Sequence, residues 1–218
     1  NDGGQIYIDP TGGSMDKLRE ESVYTRVLAA DYGEDMYSPS YSYMKSDLTK
    51  AYADITVENF TRSFVFFNFF DEKYPGAVIV FDNVTSTNPD FKKTWLLHTE
   101  QEPAIDGKRQ IADKTEWGDN GRIINDTLLP EIDNASITKV GGKDNEYSVH
   151  GVNYKAVTPL IRKDFGEWRI EVSPKTPAKN DHFLNVMHVT DASENIVPLD
   201  SEYIDADNFA GAKIKDRV

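Results

Sequence analysis

The sequence contains no cysteine among its 218 residues, and it has no long apolar run. Without thiols, the chain cannot form disulfides, use a cysteine nucleophile or hold a metal through thiolates. No apolar stretch approaches the ~20 residues that a membrane-spanning helix needs. The first residues show no basic, apolar signal pattern. Both ends resemble cut points, so we expect a fragment of a longer protein.

Positive charge is also scarce. The sequence has 24 Lys and Arg residues against 37 Asp and Glu residues, which gives a formal net charge of −13. Such a surface repels nucleic acid and anionic membranes at long range, so we expect neither as a partner. A local basic pocket is still compatible with this total charge.

Aromatic residues are abundant, with 11 Tyr, 11 Phe and 3 Trp. Apolar residues make up 39% and charged residues 28%, as is typical of globular proteins. Short apolar or alternating runs are separated by turn residues at intervals of about ten positions. This pattern predicts an all-β fold, an antiparallel β-sandwich that is multi-stranded and Greek-key-like, with one or two short helices near the N-terminus.

Individual elements follow from the same patterns. Residues 15–21 follow a capping serine and predict a short helix, and residues 47–53 predict a helical turn. Residues 23–32 fit either a helix or a strand. Residues 55–70 are apolar on both faces, which predicts a central strand that is covered twice. The acidic tail from Asp200 is predicted to be irregular and solvated.

The order and spacing of several phrases carry a family resemblance. The phrases are residues 1–5, 45–52, 80–98, 121–130, 140–142, 168–174 and 183–186. Together they resemble the heparinase II/III-type polysaccharide lyases over most of the chain. The resemblance implies a bacterial periplasmic or extracellular enzyme that cleaves uronic-acid polysaccharides by β-elimination.

The resemblance also implies how the parent protein is divided. Members of this family have an N-terminal α/α toroid, which carries the catalytic tyrosine, and C-terminal β-sheet domains. This chain matches the β portion, so we interpret residues 1–218 as a non-catalytic β-sandwich region that supports the toroid and its substrate cleft. Its implied partners are the toroid and an acidic polysaccharide. No catalytic residue, metal ligand or cofactor is assigned here, while a divalent metal such as zinc is implied for the parent, with most ligands upstream of Asn1.

Four positions near one strand and its preceding turn are candidate substrate-binding residues. β-Elimination needs a neutralised carboxylate and proton transfer, for which His, Lys and Arg are suited. His98 follows Trp95 at a predicted strand end, where it could bind a sugar or a metal, or serve as a structural histidine. Lys92 and Lys93 beside Trp95 could meet a uronate that stacks on the ring. The alternative is a charged turn over a hydrophobic anchor.

Trp117 is the fifth candidate, as an exposed stacking platform or as a core residue at a hairpin end. Trp95 and Trp117 together leave open a second hypothesis, a stand-alone carbohydrate-binding β-sandwich or an interdomain scaffold. His182 and His188 would share a strand face about 20 Å apart, too far to bind one metal ion. Asp82 lies in an apolar strand, where it could bind a metal or a sugar, and it is interpreted as pairing with a backbone turn or a nearby base.

Overall fold

Antiparallel strands dominate the described part of the chain. The computed structural model describes residues 4–5, 25–154, 166–193, 195–206 and 209–218. The strands in chain order are β1 Arg26–Tyr32, β2 Tyr41–Asp47, β3 Val57–Asn68, β4 Gly76–Ser86, β5 Trp95–Thr99, β6 Ala104–Asp106, β7 Arg109–Lys114, β8 Gly121–Leu129, β9 Ala135–Gly141, β10 Ser148–Val149, β11 Val152–Asn153, β12 Trp168–Pro174, β13 Asn180–Asp191, β14 Ser201–Ala206 and β15 Phe209–Ile214. Two 3-10 turns, Thr49–Ala51 and Glu116–Gly118, also lie in these ranges, where no helix is long and apolar enough to cross a membrane.

Three layers make up the fold. Eight strands form a sheet in the order β1-β2-β3-β4-β13-β8-β7-β6, and three form a second sheet in the order β5-β12-β9. Trp95 and Val172 of the second sheet pack against Phe183 of the large sheet, on what we term its sandwich face. Ile214 of the β14–β15 hairpin packs with Val186 on the opposite side, the hairpin face. The predicted all-β antiparallel sandwich is therefore confirmed.

Strands β4 and β13 lie at the centre of both packing contacts. They pair antiparallel from Asn180 opposite Thr85 to His188 opposite Ala77. Because side chains alternate across a strand, Phe183 faces the second sheet while its neighbour Leu184 faces the hairpin side. Both are at most 3% exposed. Each fully buried side chain of this size contributes about 1.5–3 kcal/mol, so this pair of strands carries much of the core.

The C-terminal tail differs from the sequence-based expectation. It forms the β14–β15 hairpin, paired from Ser201 opposite Ile214 to Ala206 opposite Phe209. Ile214 is fully buried and Ala212 is 4% exposed, so the tail covers the core rather than projecting into water. The prediction was wrong because the acidic residues Asp200, Glu202 and Asp205 suggest a solvated segment, while the apolar residues that pack lie mainly on β15.

Strand β3 also differs from its prediction. It was expected to be covered on both faces, yet Phe64 and Phe66 are 37% and 42% exposed on the sandwich face. The second sheet packs over β4 and β13 and contributes no residue to a cluster that includes β3. The predicted helix at residues 15–21 lies outside the described residues. The turn predicted at 47–53 is confirmed by Thr49–Ala51, and the ambiguous segment 23–32 contains β1.

Asp82 is paired with a base, as its sequence context predicted. The Arg62 Nε donates to Asp82 Oδ1 at 2.6 Å, and a second guanidinium nitrogen contacts Oδ2. Burial raises the pKa of the Asp82 carboxyl, and the Arg62 guanidinium opposes that shift. Arg62 also lies over the rings of Phe60 and Phe64, 5.5 and 5.8 Å from their centroids. The ion pair thus joins neighbouring strands β3 and β4.

A second buried polar cluster, around Asp126 and His188, holds the segment that leads into the β14–β15 hairpin through hydrogen bonds. Asp126 accepts hydrogen bonds from Arg109 Nε and from Ser201 Oγ, each at 2.7 Å. Nearby, His188 Nε2 accepts a hydrogen bond from the backbone N–H of Leu199 at 3.1 Å. Burial lowers the pKa of His188 to about 4; the Asp126 carboxylate opposes this shift and the Arg109 guanidinium adds to it. The imidazole is therefore neutral at neutral pH.

We expect His188 to make the protein less stable in mild acid. Between pH 6.5 and 4, the unfolded chain binds a proton at an ordinary histidine pKa of about 6.5, while the folded chain does not. The free energy of unfolding should therefore fall over this window by about 2–3 kcal/mol through His188 alone. Urea unfolding at each pH measures the loss, and His188→Gln should remove this share of it.

The exposed His182 on the same strand face provides the matched control, because His182→Gln makes the same substitution at an imidazole that does not bind the Leu199 backbone. Carboxylates titrate in all three proteins, so the difference between the profiles is the relevant quantity. Parallel profiles for wild type and His188→Gln would contradict the assignment.

Candidate functional site

A surface cleft of about 390 Å³ opens where β12 ends and β13 begins. The loop from β4 to β5 forms one wall, and the turn between β12 and β13 forms the other. Its lining includes Phe91, Lys92, Lys93, Ser136, Ser173, Lys175, Thr176 and Asp181, together with Pro89, Pro174 and Pro177. The cleft therefore combines an aromatic ring, ammonium groups, hydroxyls and stiff proline backbone.

Local hydrogen bonds fix both walls. In the first, the Ser86 hydroxyl donates to the carbonyl of Asn88 at 2.8 Å, and the backbone N–H of Asp90 donates to Asn88 Oδ1 at 3.0 Å. In the second, the N–H of Thr176 donates to Asn134 Oδ1 at 3.0 Å. Asparagine side chains that bond to nearby backbone stabilise turns of this kind. The two walls are thus held by turn chemistry rather than by the sheets.

The cleft is positive although the protein is strongly negative. Three lysines line it against two carboxylates, Asp90 and Asp181, which gives a local formal charge of +1. The whole chain has a formal net charge of −13. A concave site with an excess of one sign of charge attracts ions of the opposite sign. This cleft is therefore suited to an anion, and its size fits a small group such as one sugar unit.

The two lysines predicted to bind substrate occupy different environments in this cleft. Lys93 Nζ lies 2.7 Å from Asp181 Oδ2 and 2.6 Å from the carbonyl oxygen of Ala178. Its side chain is 8% exposed, and its positive charge is already paired with the Asp181 carboxylate. Lys92 is exposed and takes part in no ion pair among the described residues. Of the two ammonium groups, Lys92 has the geometry for an external anion, together with the 42% exposed ring of Phe91.

The predicted tryptophans do not join this cleft. Trp95 is 6% exposed and packs in the core between the sheets, so its ring cannot stack on a sugar unless the core opens. Trp117 lies in the 3-10 turn Glu116–Gly118, and its side chain is outside what the structure describes. That turn borders Gly121, whose partner on β13 is Asp191. Ten residues of strand separate Asp191 from Asp181, roughly 30 Å by strand rise.

His98 lies on the outer face of the second sheet, away from both the core and the cleft. Its strand partner is Arg169, whose guanidinium donates to Glu171 Oε1 at 2.9 and 2.6 Å and to the carbonyl of Ser148 at 2.8 Å. Partial burial, followed by the Arg169 charge, lowers the pKa of the His98 imidazole. The neutral ring can donate or accept a hydrogen bond there, and Gly166 packs beside it.

The metal implied for the parent protein finds no complete ligand set here. Within the ranges that the structure describes, no three His, Asp or Glu side chains gather closely enough to hold an ion. His98 has a guanidinium as its neighbour, which disfavours a cation at this position. The described residues therefore do not fit a metal centre by themselves.

Lys175 is a cleft residue that the sequence reasoning did not identify. It occupies the turn after β12, where its ammonium donates to the carbonyl of Asp133 at 3.1 Å and stays largely exposed. The sequence feature that could have pointed to Lys175 is its position within a Pro-Lys-Thr-Pro turn, residues 174–177. The turn could be predicted, but nothing in the sequence places it opposite Lys92.

Comparisons with known proteins support the fold. No protein-family model and no curated protein matches the chain. The crystal structure of heparinase III matches 88% of this chain and 25% of its own, with a TM-score of 0.53 and 13% identity. A mutant of the heparan sulfate lyase HepC from Pedobacter heparinus matches 99% of this chain and 32% of its own, with a TM-score of 0.49 and 13% identity. The chain thus shares its β fold with heparinase III and spans about a quarter of that protein's length.

The two neighbouring lysines allow a sharp test of their roles. Lys93→Ala should lower the free energy of unfolding by about 3 kcal/mol or more, because it leaves the Asp181 carboxylate buried without its partner. Lys92→Ala should change it by less than about 0.5 kcal/mol, because Lys92 is exposed and unpaired among the described residues. Chemical unfolding of both variants measures the contrast. Equal effects would mean that the Lys93–Asp181 pair does not hold the cleft together.

Proposed function

We propose that this chain is the β-sheet region of a polysaccharide lyase related to the heparinase II/III type. In this proposal the parent protein cleaves a uronic-acid polysaccharide by β-elimination in the periplasm or outside the cell. The fold likeness to heparinase III is the observation that carries the proposal, because it extends over 88% of the chain. Function inferred from fold alone is an analogy, so the features of this chain have to support it.

The positive cleft supports a role in contacting the polysaccharide. A uronate carries one carboxylate on each ring, and the exposed Lys92 ammonium offers the opposite charge beside the Phe91 ring. Lys93 has an indirect role. Its ammonium group neutralises the Asp181 carboxylate, so this carboxylate does not repel the substrate. The cleft therefore holds the chain of sugars, while proton transfer takes place elsewhere in the parent protein.

The uncovered part of the large sheet supports contact with another domain. Met44, Phe64 and Phe66 share the sandwich face at neighbouring positions of β2 and β3, and all three are at least 37% exposed. Among the described strands, β1 is the outermost strand on its side of the sheet, and it is exposed at all seven residues. An apolar sheet face and an open edge of this kind mark interaction sites. We assign the α-helical toroid as the occupant, because the matched heparinase III chain is about four times as long as this region.

Two features of the parent protein remain proposals on the same basis. The catalytic tyrosine is assigned to the toroid, and a divalent metal such as zinc would take most of its ligands from outside this chain. The alternative function, a stand-alone carbohydrate-binding module, was motivated by Trp95 and Trp117. The burial of Trp95 removes half of that motivation.

The cleft is tested by electrophoresis of the purified chain through gels that contain heparan sulfate, hyaluronan or alginate. We expect retardation by at least one of the three, with the apparent affinity reduced about 3- to 10-fold in Lys92→Ala. That reduction corresponds to the loss of one partly exposed charge contact. Added salt should weaken the retardation, because exposed charges are screened.

Lys50→Ala is the matched control, since Lys50 is 65% exposed, pairs with Asp54 and does not line the cleft. The same protein is then assayed for unsaturated uronate product on each polymer. Turnover by this chain alone would contradict the placement of catalysis in the toroid, and unchanged retardation in Lys92→Ala would contradict the role of the cleft.

The docking face is tested in the full-length protein. Phe66→Glu should lower the thermal unfolding temperature of the helical region and reduce lyase activity, because a buried carboxylate at a domain interface is costly. Leu96→Glu is the matched control, because Leu96 is 48% exposed on the outer face of the second sheet. If both variants behave like wild type, the toroid does not pack on this face.

A further inference from the structure

A second polar surface lies on the hairpin face of the large sheet, beyond the area that β14 and β15 cover. Thr61, Asn83 and His182 are direct cross-strand neighbours on β3, β4 and β13. Ser63 and Phe81 form the next row on β3 and β4, and Asn180 lies opposite Thr85 in the row on the other side. Neighbouring strands lie about 4.8 Å apart, so these side chains form one continuous patch roughly 10 Å across. We term it the amide patch.

Two amide side chains in this patch hold each other in place. Asn180 Nδ2 donates to Asn83 Oδ1 at 2.7 Å and to Thr85 Oγ1 at 2.8 Å. Asn180 Oδ1 and Asn83 Nδ2 then have no partner among the described residues. The first is an acceptor and the second a donor. Adjacent hydroxyls of a sugar ring require such a donor and acceptor side by side.

An aromatic platform borders these amides. The rings of Phe81 and His182 lie 5.5 Å apart at an angle of 37°. His182 is exposed, and Phe81 contacts the hydrophobic core from its other side. An exposed ring face can pack against the apolar C–H face of a sugar, while the imidazole keeps a polar edge for hydrogen bonding. The platform and the amides therefore offer the two kinds of contact that a pyranose ring makes.

Hydroxyls complete the patch, and charged residues lie at its margin. The hydroxyls of Thr61 and Ser63 make no hydrogen bond with another described side chain or backbone group. Lys45 lies across from Ser63, and Asp47 lies across from Thr61, where its carboxylate accepts from the N–H of Thr49 at 3.0 Å. Arg26 lies across from Asp47 on β1, so the margin carries charges of both signs. Within the patch itself, the hydroxyls and amides of Thr61, Ser63, Asn83 and Asn180 are uncharged polar groups, which distinguishes it from the cleft with its three lysines.

We propose that the amide patch is a binding site for an uncharged sugar unit of a glycan. Because strands hold its groups rigidly, binding costs little side-chain ordering. The proposal does not depend on lyase function, since the patch and the cleft lie on opposite faces of the sheet at the start of β13 and use different chemistry. If both sites operate, the chain binds a glycan that contains neutral as well as acidic sugars, or it binds two glycans.

The test is an NMR titration of the ¹⁵N-labelled chain with cellotetraose, xylotetraose and maltotetraose, and with an oligouronate tetramer for contrast. We expect at least one neutral tetramer to bind with a Kd on the order of 1 mM. The side-chain amide signals of Asn83 and Asn180 should shift, while the backbone amide signals of Phe91 and Lys92 in the cleft should not. His182→Ala and Asn180→Ala should each weaken binding at least 5-fold.

Both substituted positions are exposed, so an unchanged unfolding temperature confirms that each variant is folded. Lys92→Ala is the matched control and should bind the neutral tetramer like wild type. The proposal is overturned if no neutral tetramer gives saturable shifts up to about 10 mM, or if the two patch variants bind as tightly as wild type. Binding of the oligouronate alone would also overturn it, and shifts confined to the cleft would then support the proposed function by itself.

Discussion

Burial of strands β4 and β13 on both faces is the constraint on which the rest of the structure depends. The second sheet packs against their side chains on one face, and the C-terminal hairpin packs against them on the other. Burial of apolar area is the dominant favourable contribution to folding. The positions of the second sheet and of the β14–β15 hairpin are therefore set by the apolar side chains of β4 and β13 on which they pack. The cleft opens where β13 begins, and the amide patch lies on the outer half of the same strand pair. Both candidate sites therefore lie on or beside this strand pair.

The distribution of positive charge follows from the same constraint. An acidic chain that buries carboxylates must supply each with a cation, because an unpaired buried charge is costly. Among the described residues, Arg62 and Arg109 pair in this way with the buried Asp82 and Asp126, and Lys93 pairs with the largely buried Asp181. Basic residues that stay exposed, such as Lys92, then determine where an anion can bind. This is how a protein with a net charge of −13 can still present a positive cleft.

Some parts of the fold could be predicted because the information is local. Asp-Gly is a typical hairpin-turn sequence, and at Asp106-Gly107 it joins β6 to β7, with a φ of 56° at Gly107. The pairing of Asp82 with a base could also be inferred, since a carboxylate in an apolar strand requires one. The coverage of β3 and the packing of the C-terminal tail could not be inferred. Both depend on where a distant layer ends, and alternation along a strand carries no information about that.

The candidate site residues also divide into properties that the sequence determines and properties that only the tertiary structure determines. The sequence by itself determined that the chain is β-rich, that it contains no thiol chemistry, and that lysines and aromatic rings lie close together before β5. Only the tertiary structure decided that Lys93 is used internally while Lys92 is available, and that Lys175 faces it from the opposite wall. The physical reason is that a binding site joins side chains across strands. Composition and spacing fix which groups the chain contains, but the pairing of β4 with β13, and the layers that pack on them, fix which of those groups meet and which remain free.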